Sequence, residues 1–162
     1  MRFNNEIELE KATLPLIEKH FEYWSWQVAH SYSVCDFMGI TYNDLVVSIE
    51  YKLRDWKRAL DQCRYHLLCS DFAYVLMPKR KSSDNILRFI KENRLPIGVI
   101  FFDKKPEIIQ KPKPHRMKWK PTYEAVKRQI KFFQIHDRKS YIISPERIKE
   151  FNRIEQEIRN SL

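Results

Sequence analysis

The spacing of hydrophobic positions changes period several times along the chain, and each change predicts an element. From a cap at Asn4 or Asn5, the residues Ile7, Leu14, Ile17 and Phe21 recur at helical spacing, so 5–22 reads as an amphipathic helix. Pro15 has no amide hydrogen for the helix interior, which predicts a kink or a restart after Thr13. Period two then takes over. Residues 24–30, WSWQVAH, alternate and carry aromatic and β-branched side chains; 34–40 follow the same habit, and Tyr42-Asn43-Asp44 supplies a turn. The run 45–52, LVVSIEYK, is apolar and β-rich and predicts a central strand whose polar end is unusual.

Helical spacing returns over 56–68 through Trp56, Ala59, Leu60, Cys63 and Leu67, and strand character over 72–77 until Pro78 ends it, a β-α-β crossover. Ser82 or Ser83 can cap a helix over 84–93, and 96–102 reads as another strand. Asp103-Lys104-Lys105 turns the chain into a short strand around Ile108 and Ile109. Three prolines and five Lys/Arg make 111–121 an extended basic connector. A helix over 122–133 and another capped by Ser144, with Pro145 at its first position, follow. The order α-β-β-β-α-β-α-β-β-α-α predicts an α/β domain with a mixed sheet.

With 162 residues, 43% of them hydrophobic, the chain suits one compact domain. Cys35, Cys63 and Cys69 form an odd set without CxxC spacing, which points to neither a disulfide framework nor a zinc site. No stretch approaches the about 18 apolar residues of a membrane span, and MRFNNEIELE lacks the apolar core of a leader. A cytoplasmic protein without membrane contact is expected. Only Gly39 and Gly98 occur, which excludes glycine-rich phosphate loops.

Charge sharpens the picture through its distribution. The formal net charge of +9 favours an anionic partner, but residues 1–50 hold 3 Lys/Arg against 8 Asp/Glu, whereas 51–162 hold 27 against 13. Carboxylates followed by a cationic remainder are what a metal site beside a phosphate-binding surface needs. Asp36 opens the second strand, and Glu50-Tyr51-Lys52 ends the third. Side chains two apart on a strand share a face, so Glu50 and Lys52 project together, and a neighbouring strand can bring Asp36 beside Glu50. Two carboxylates suit a hard divalent cation such as Mg²⁺ or Mn²⁺, and a lysine can orient a water or stabilise developing negative charge. An isolated ExK triplet is a weak signal, because strand ends often carry ion pairs.

Context adds weight. The succession of an acidic helix, a strand with Asp36, an apolar strand with Glu50-x-Lys52, a helix with Gln62 and the strand FAYVLMP resembles the PD-(D/E)XK nuclease superfamily. The stretch from Ser48 through Ala59-Leu60-Asp61-Gln62 to Tyr65 resembles a subgroup of uncharacterised nuclease-like proteins with an "AL-x-Q" helix after ExK. The resemblance covers roughly residues 5–110. It implies a restriction-endonuclease-like mixed β-sheet flanked by helices, with residues 1–110 as the core and 111–162 as a basic C-terminal helical extension of the same domain. It further implies Asp36 and Glu50 as metal ligands, Lys52 as the catalytic lysine, Glu6 or Glu10 as an auxiliary acid and Gln62 as a glutamine at the site's edge. Glu6 and Glu10 share a helix face, so sequence does not choose between them. Cys35 stands where the superfamily's name has proline.

The expected activity is divalent-metal-dependent hydrolysis of phosphodiester bonds, in DNA, with Mg²⁺ or Mn²⁺ as cofactor. Lys111, Lys113, Arg116, Lys118 and Lys120, with Trp119 and Tyr123 among them, can track a phosphate backbone and stack on a base; the plainer alternative is a solvated basic segment whose Trp119 packs on the core. Two other functions compete: a catalytically silent nuclease-fold module that binds nucleic acid or protein, and a homodimeric resolvase of the Holliday-junction type. His20, His30, His66, His115 and His136 show no metal-ligand spacing and read as surface or core residues. Cys63 and Cys69 read as buried, and no serine has a GxSxG setting.

Overall fold

A computed structural model describes residues 2–136 apart from Tyr32, with side chains through Phe133. The helix expected after Ser144 lies outside the described residues. Six strands form one sheet in sequential order: β1 (Phe21–His30), β2 (Ser33–Thr41), β3 (Val46–Tyr51), β4 (Phe72–Pro78), β5 (Gly98–Phe102) and β6 (Pro106–Gln110). β1, β2 and β3 run antiparallel, β3, β4 and β5 run parallel, and β6 returns antiparallel. Four α-helices flank the sheet among the described residues: α1 (Glu6–Ile17), α2 (Trp56–His66), α3 (Asp84–Glu92) and α4 (Lys120–His136). This is the mixed α/β arrangement expected, consistent with a restriction-endonuclease-like fold.

Alternation along β3 divides the core. Val47, Ile49 and Tyr51 pack with Leu9, Leu14 and Ile17 of α1 on one face. The alternate residues Val46, Ser48 and Glu50 turn to the other face, where α2 and α3 bury Ala59, Cys63, Ile86 and Ile90 and α4 buries Val126 and Ile130. At the centre of the α1 face, Phe37 has rings of Trp24, Trp26 and Phe21 around it at 5.9, 5.4 and 5.3 Å between centroids. Gly39 is required there, because a Cβ on it would meet the Phe21 ring at 2.3 Å.

The first helix departs from expectation. It runs through Pro15 to Ile17 without a restart, then tightens into a 3₁₀ turn over Glu18–His20, and the strand expected from Trp24 already begins at Phe21. Asn5 caps α1, its side chain accepting from the Glu8 N–H at 3.0 Å, and Asp55 caps α2 in the same way through the Arg58 N–H at 3.2 Å. Ser83 occupies the cap position of α3, but its hydroxyl accepts from the Arg80 N–H instead, at 2.8 Å, and so fixes the loop after β4.

The basic connector is ordered by contacts at the amino ends of β3, β4 and β5. Lys113 N–H donates to the Pro96 carbonyl at 3.1 Å, His115 to the Ser70 carbonyl at 2.8 Å, and Trp119 N–H to the Leu68 carbonyl at 2.8 Å. Asp71, just before β4, gathers Lys118, the Tyr123 hydroxyl at 2.7 Å and the Val46 N–H at 2.8 Å. Trp119 itself is 55% exposed and does not pack in the core. No helix among the described residues is long and apolar enough to cross a membrane.

Candidate metal centre

The carboxyl end of β3 is where the ladder to β2 stops. Its last registered pair is Phe37 with Ile49, and the next β3 amide, Tyr51 N–H, donates to Asp36 Oδ2 at 2.8 Å rather than to β2 backbone. Asp36 thereby replaces a ladder partner and is held beside Glu50, which is 1% exposed. The other oxygen of Asp36 accepts from Gln27 Nε2 at 3.3 Å. Gln27 sits in β1 with φ of 51°, a left-handed conformation that a non-glycine residue adopts at a cost of order 1–3 kcal/mol and that recurs at functional sites.

From the other face, α1 presents Glu6 and Glu10 one turn apart. Glu6 Oε2 lies 3.4 Å from Lys52 Nζ, and Glu50 Oε1 lies 3.6 Å from the same nitrogen. Glu10 is the more deeply placed. Burial, and then the charges of Asp36, Glu6 and Glu50, push its pKa up to about 8. Asp36 is pushed up to about 7 by burial and the Glu50 charge, against the Tyr51 N–H, and burial takes Glu50 up to about 7. Burial works against the charge of Lys52, but Asp36, Glu50 and Glu6 outweigh it, so its proton is held more tightly than in a free lysine. Carboxylates crowded until they resist ionisation, beside a fixed ammonium, form a site whose charge a cation would balance. Both N-terminal acids therefore reach the site: Glu6 as the partner of Lys52, Glu10 among the clustered carboxylates.

A buried relay orients Glu50. Its Oε2 is 2.9 Å from His66 Nε2, and His66 Nδ1 is 2.7 Å from His30 Nε2. Burial depresses both imidazoles, His66 to about 4 and His30 to about 3, so each ring is neutral at pH 7 and carries one N–H. With Glu50 as carboxylate, His66 donates through Nε2, its Nδ1 accepts from His30 Nε2–H, and His30 Nδ1 is left a bare acceptor. That nitrogen is indeed a buried atom without a partner. Among the described residues the remaining Glu50 oxygen, Oε1, is buried with no hydrogen bond, with the Lys52 ammonium 3.6 Å away, and Gln62 Oε1, one turn before His66 on α2, is buried without one too. Gln62 makes no hydrogen bond to Asp36, Glu50 or Lys52 among the described residues.

Two sets of ligands share Glu50. Cys35 Sγ, a Glu50 oxygen and a His66 nitrogen all lie within 4.8 Å of one another, and all three residues are buried. This corrects the expectation that the histidines and cysteines lack metal-ligand pairing: β2, β3 and α2 bring together residues that sequence spacing does not. The Cys35 thiol, however, is pushed well up by burial and by the Glu50 and Asp36 charges, and it lies 3.2 Å from the Phe37 carbonyl. A protonated thiol and an engaged imidazole are poor ligands, whereas the oxygens of Asp36, Glu50 and Glu10 are the hard donors that Mg²⁺ and Mn²⁺ prefer.

Sequence reasoning missed His66, His30 and Gln27. His66 was legible in part, since it continues the buried stripe Ala59–Cys63 on the helix that faces the ExK strand. The positive φ of Gln27 leaves no mark in the sequence. The five connector cations lie at the opposite end of the strands, because Val46 and Asp71 mark the amino ends of β3 and β4; five residues at about 3.3 Å each put that end roughly 16 Å from Tyr51.

No family description and no curated protein matches this chain. Among solved structures, a protein of unknown function from Silicibacter pomeroyi is similar at a TM-score of 0.53 and 14% identity, over 85% of this chain and 93% of that one. At that identity the likeness shows the fold alone. A repair endonuclease from Pyrococcus abyssi is similar at a TM-score of 0.40 and 16% identity, over 66% of this chain and 49% of that one, a likeness too loose to carry a functional argument.

Proposed function

We propose that this protein is a divalent-cation-dependent nuclease that hydrolyses phosphodiester bonds, with DNA as its substrate. The observation that carries the reading is the placement of Glu6 and Glu50 at 3.4 and 3.6 Å from one charged lysine, with Asp36 held beside Glu50 through the Tyr51 amide and the Glu50 oxygen nearest the lysine buried without a hydrogen bond among the described residues. Asp36 and Glu50 would hold Mg²⁺ or Mn²⁺, with Glu10 close by. Bound there, the ion would supply neutralisation of phosphate charge and a lowered pKa for a coordinated water.

The protein's own groups divide the remaining work. Lys52, kept protonated by the surrounding acids, orients the attacking water or offsets the negative charge that grows on the phosphoryl oxygens. Glu6 and Glu50 together steady the Lys52 ammonium. His66 fixes the rotamer of Glu50 and leaves Oε1 as its free donor, and Gln27 with the Tyr51 amide does the same for Asp36. The test is cleavage of plasmid and oligonucleotide DNA in Mg²⁺ and in Mn²⁺ by the native protein, D36N and K52A. Cleavage confined to the native protein, with unchanged melting of the variants, supports the reading; equal cleavage by all three refutes it.

A further inference from the structure

The parallel strands β3, β4 and β5 all end on the side of the sheet where the acids lie, and the loops leaving them are cationic. Arg54, Lys57 and Arg58 follow β3, and Lys79, Arg80 and Lys81 follow β4; all six are exposed. None pairs with a carboxylate among the described residues. Between the first turns of α2 and α3, these loops enclose a cavity of about 200 Å³. Leu53, Trp56, Met77 and Phe101 give it apolar walls, and Arg54, Arg80, Ser82 and Ser83 give it a polar rim. The Arg80 backbone is fixed by Ser83, and the Lys79 amide by the Phe102 carbonyl at 2.9 Å, so the rim is built rather than loose. Leu53 and Arg54 follow Lys52 directly, which sets the cavity next to the acid centre.

An apolar slot under two unpaired guanidinium groups has the chemistry of a flat base joined to a phosphate. We infer that this cavity takes one unpaired nucleotide of the substrate strand next to the phosphate being cleaved, its base between the apolar walls and its phosphate on Arg54 and Arg80. A base stacked in a duplex cannot enter, so the preferred substrates are strands with unpaired nucleotides. The inference deepens the nuclease reading and rests on it for the position of the scissile phosphate, but the binding can be tested without cleavage.

The test is fluorescence anisotropy in EDTA with a labelled single-stranded oligothymidylate and a blunt duplex of equal length. R54A/R80A is expected to weaken single-strand binding about tenfold or more at low salt. It should also flatten the plot of log Kd against log salt by about 1.4, the loss of two phosphate contacts on a single strand. S82W, which obstructs the mouth without touching the core, is expected to weaken the single strand and leave the melting temperature in place. K111A/K113A/R116A, at the other end of the strands, should have the smaller effect. The inference is overturned if the connector variant has the larger effect, if S82W binds like the native protein, or if the blunt duplex binds as tightly as the single strand. Native protein that binds in the expected pattern but cleaves nothing removes the nuclease reading alone. Cleavage that depends on Asp36 alongside the wrong binding pattern removes this inference alone.

Discussion

The two ends of the β3–β4 pair hold the same kinds of residue in opposite states. At the amino end, Asp71 is engaged by Lys118, Tyr123 and the Val46 amide, its pKa is lowered despite burial, and Asp44 meets Lys127 at 2.6 Å. At the carboxyl end, Glu10, Asp36 and Glu50 are crowded with their pKa values raised, while the nearby loop arginines have no acidic partner among the described residues. One ion pair, Lys118 with Asp71, and the hydrogen bonds of Lys113, His115 and Trp119 tie the connector to the domain, while Lys111, Lys113, Arg116 and Lys120 meet no carboxylate among the described residues. Acids that resist ionisation, next to unpaired cations, leave charge available for a cation and a polyanion. The difference teaches that a basic stretch is no guide to binding until its partners are known.

Substitutions at the two ends should therefore fail in different ways. The largest effect is expected at the acid centre: D36N or K52A should lower Mg²⁺-dependent cleavage about 10²–10³-fold, a scale usual for losing one preorganised charge-stabilising group, measured in single-turnover assays. Next, H66A should weaken Mn²⁺ binding about 10–100-fold by calorimetry, because Glu50 loses the group that fixes its rotamer, and H66Q, which keeps an N–H donor, should recover part of it. At the other end, D71A should cost about 1–3 kcal/mol in urea unfolding, since it strands the Val46 amide and the Tyr123 hydroxyl, while leaving Mn²⁺ affinity unchanged. An equal loss of metal affinity in D71A and H66A would erase the contrast.

The smallest effect is the pH dependence of stability without metal. Folded Glu10, Asp36 and Glu50 titrate at about 8, 7 and 7, against 4.5 for a free glutamate and 3.8 for a free aspartate. The folded state therefore binds more protons, and these groups lose their stabilising contribution as pH rises through 7 to 8. His30 and His66 have the opposite sign, being depressed from 6.5, and offset the acids below pH 6.5. Melting temperature in EDTA should thus fall between pH 6.5 and 8, and saturating Mn²⁺ should remove the fall. A flat profile in EDTA would argue that the three acids are not crowded.

What the sequence made legible follows from locality. Strand and helix periods placed β3, α2 and β4 within two residues of their ends, and the shared face of Glu50 and Lys52 needed only the two-residue repeat. The helix face shared by Glu6 and Glu10 was also local; Glu6 lies 3.4 Å from Lys52, and the charges of Asp36, Glu6 and Glu50 act on Glu10. Long-range relations were not legible. The His30–His66–Glu50 chain joins β1, α2 and β3, and the pairing of Lys118 with Asp71 spans 47 residues, so neither leaves a spacing to read. Of the kink or restart that Pro15 suggested, the restart does not occur: Leu9, Leu14 and Ile17 are buried against the sheet, and that packing carries the helix past a local breaker.

Anomalous diffraction from crystals soaked in Mn²⁺ tests the central claim most directly. The expected result is a peak between the Asp36 carboxylate and Glu50 Oε1, close to Glu10, absent from D36N crystals. A peak among Cys35, His66 and Glu50 Oε2 instead, or none at a concentration that supports cleavage, would contradict it.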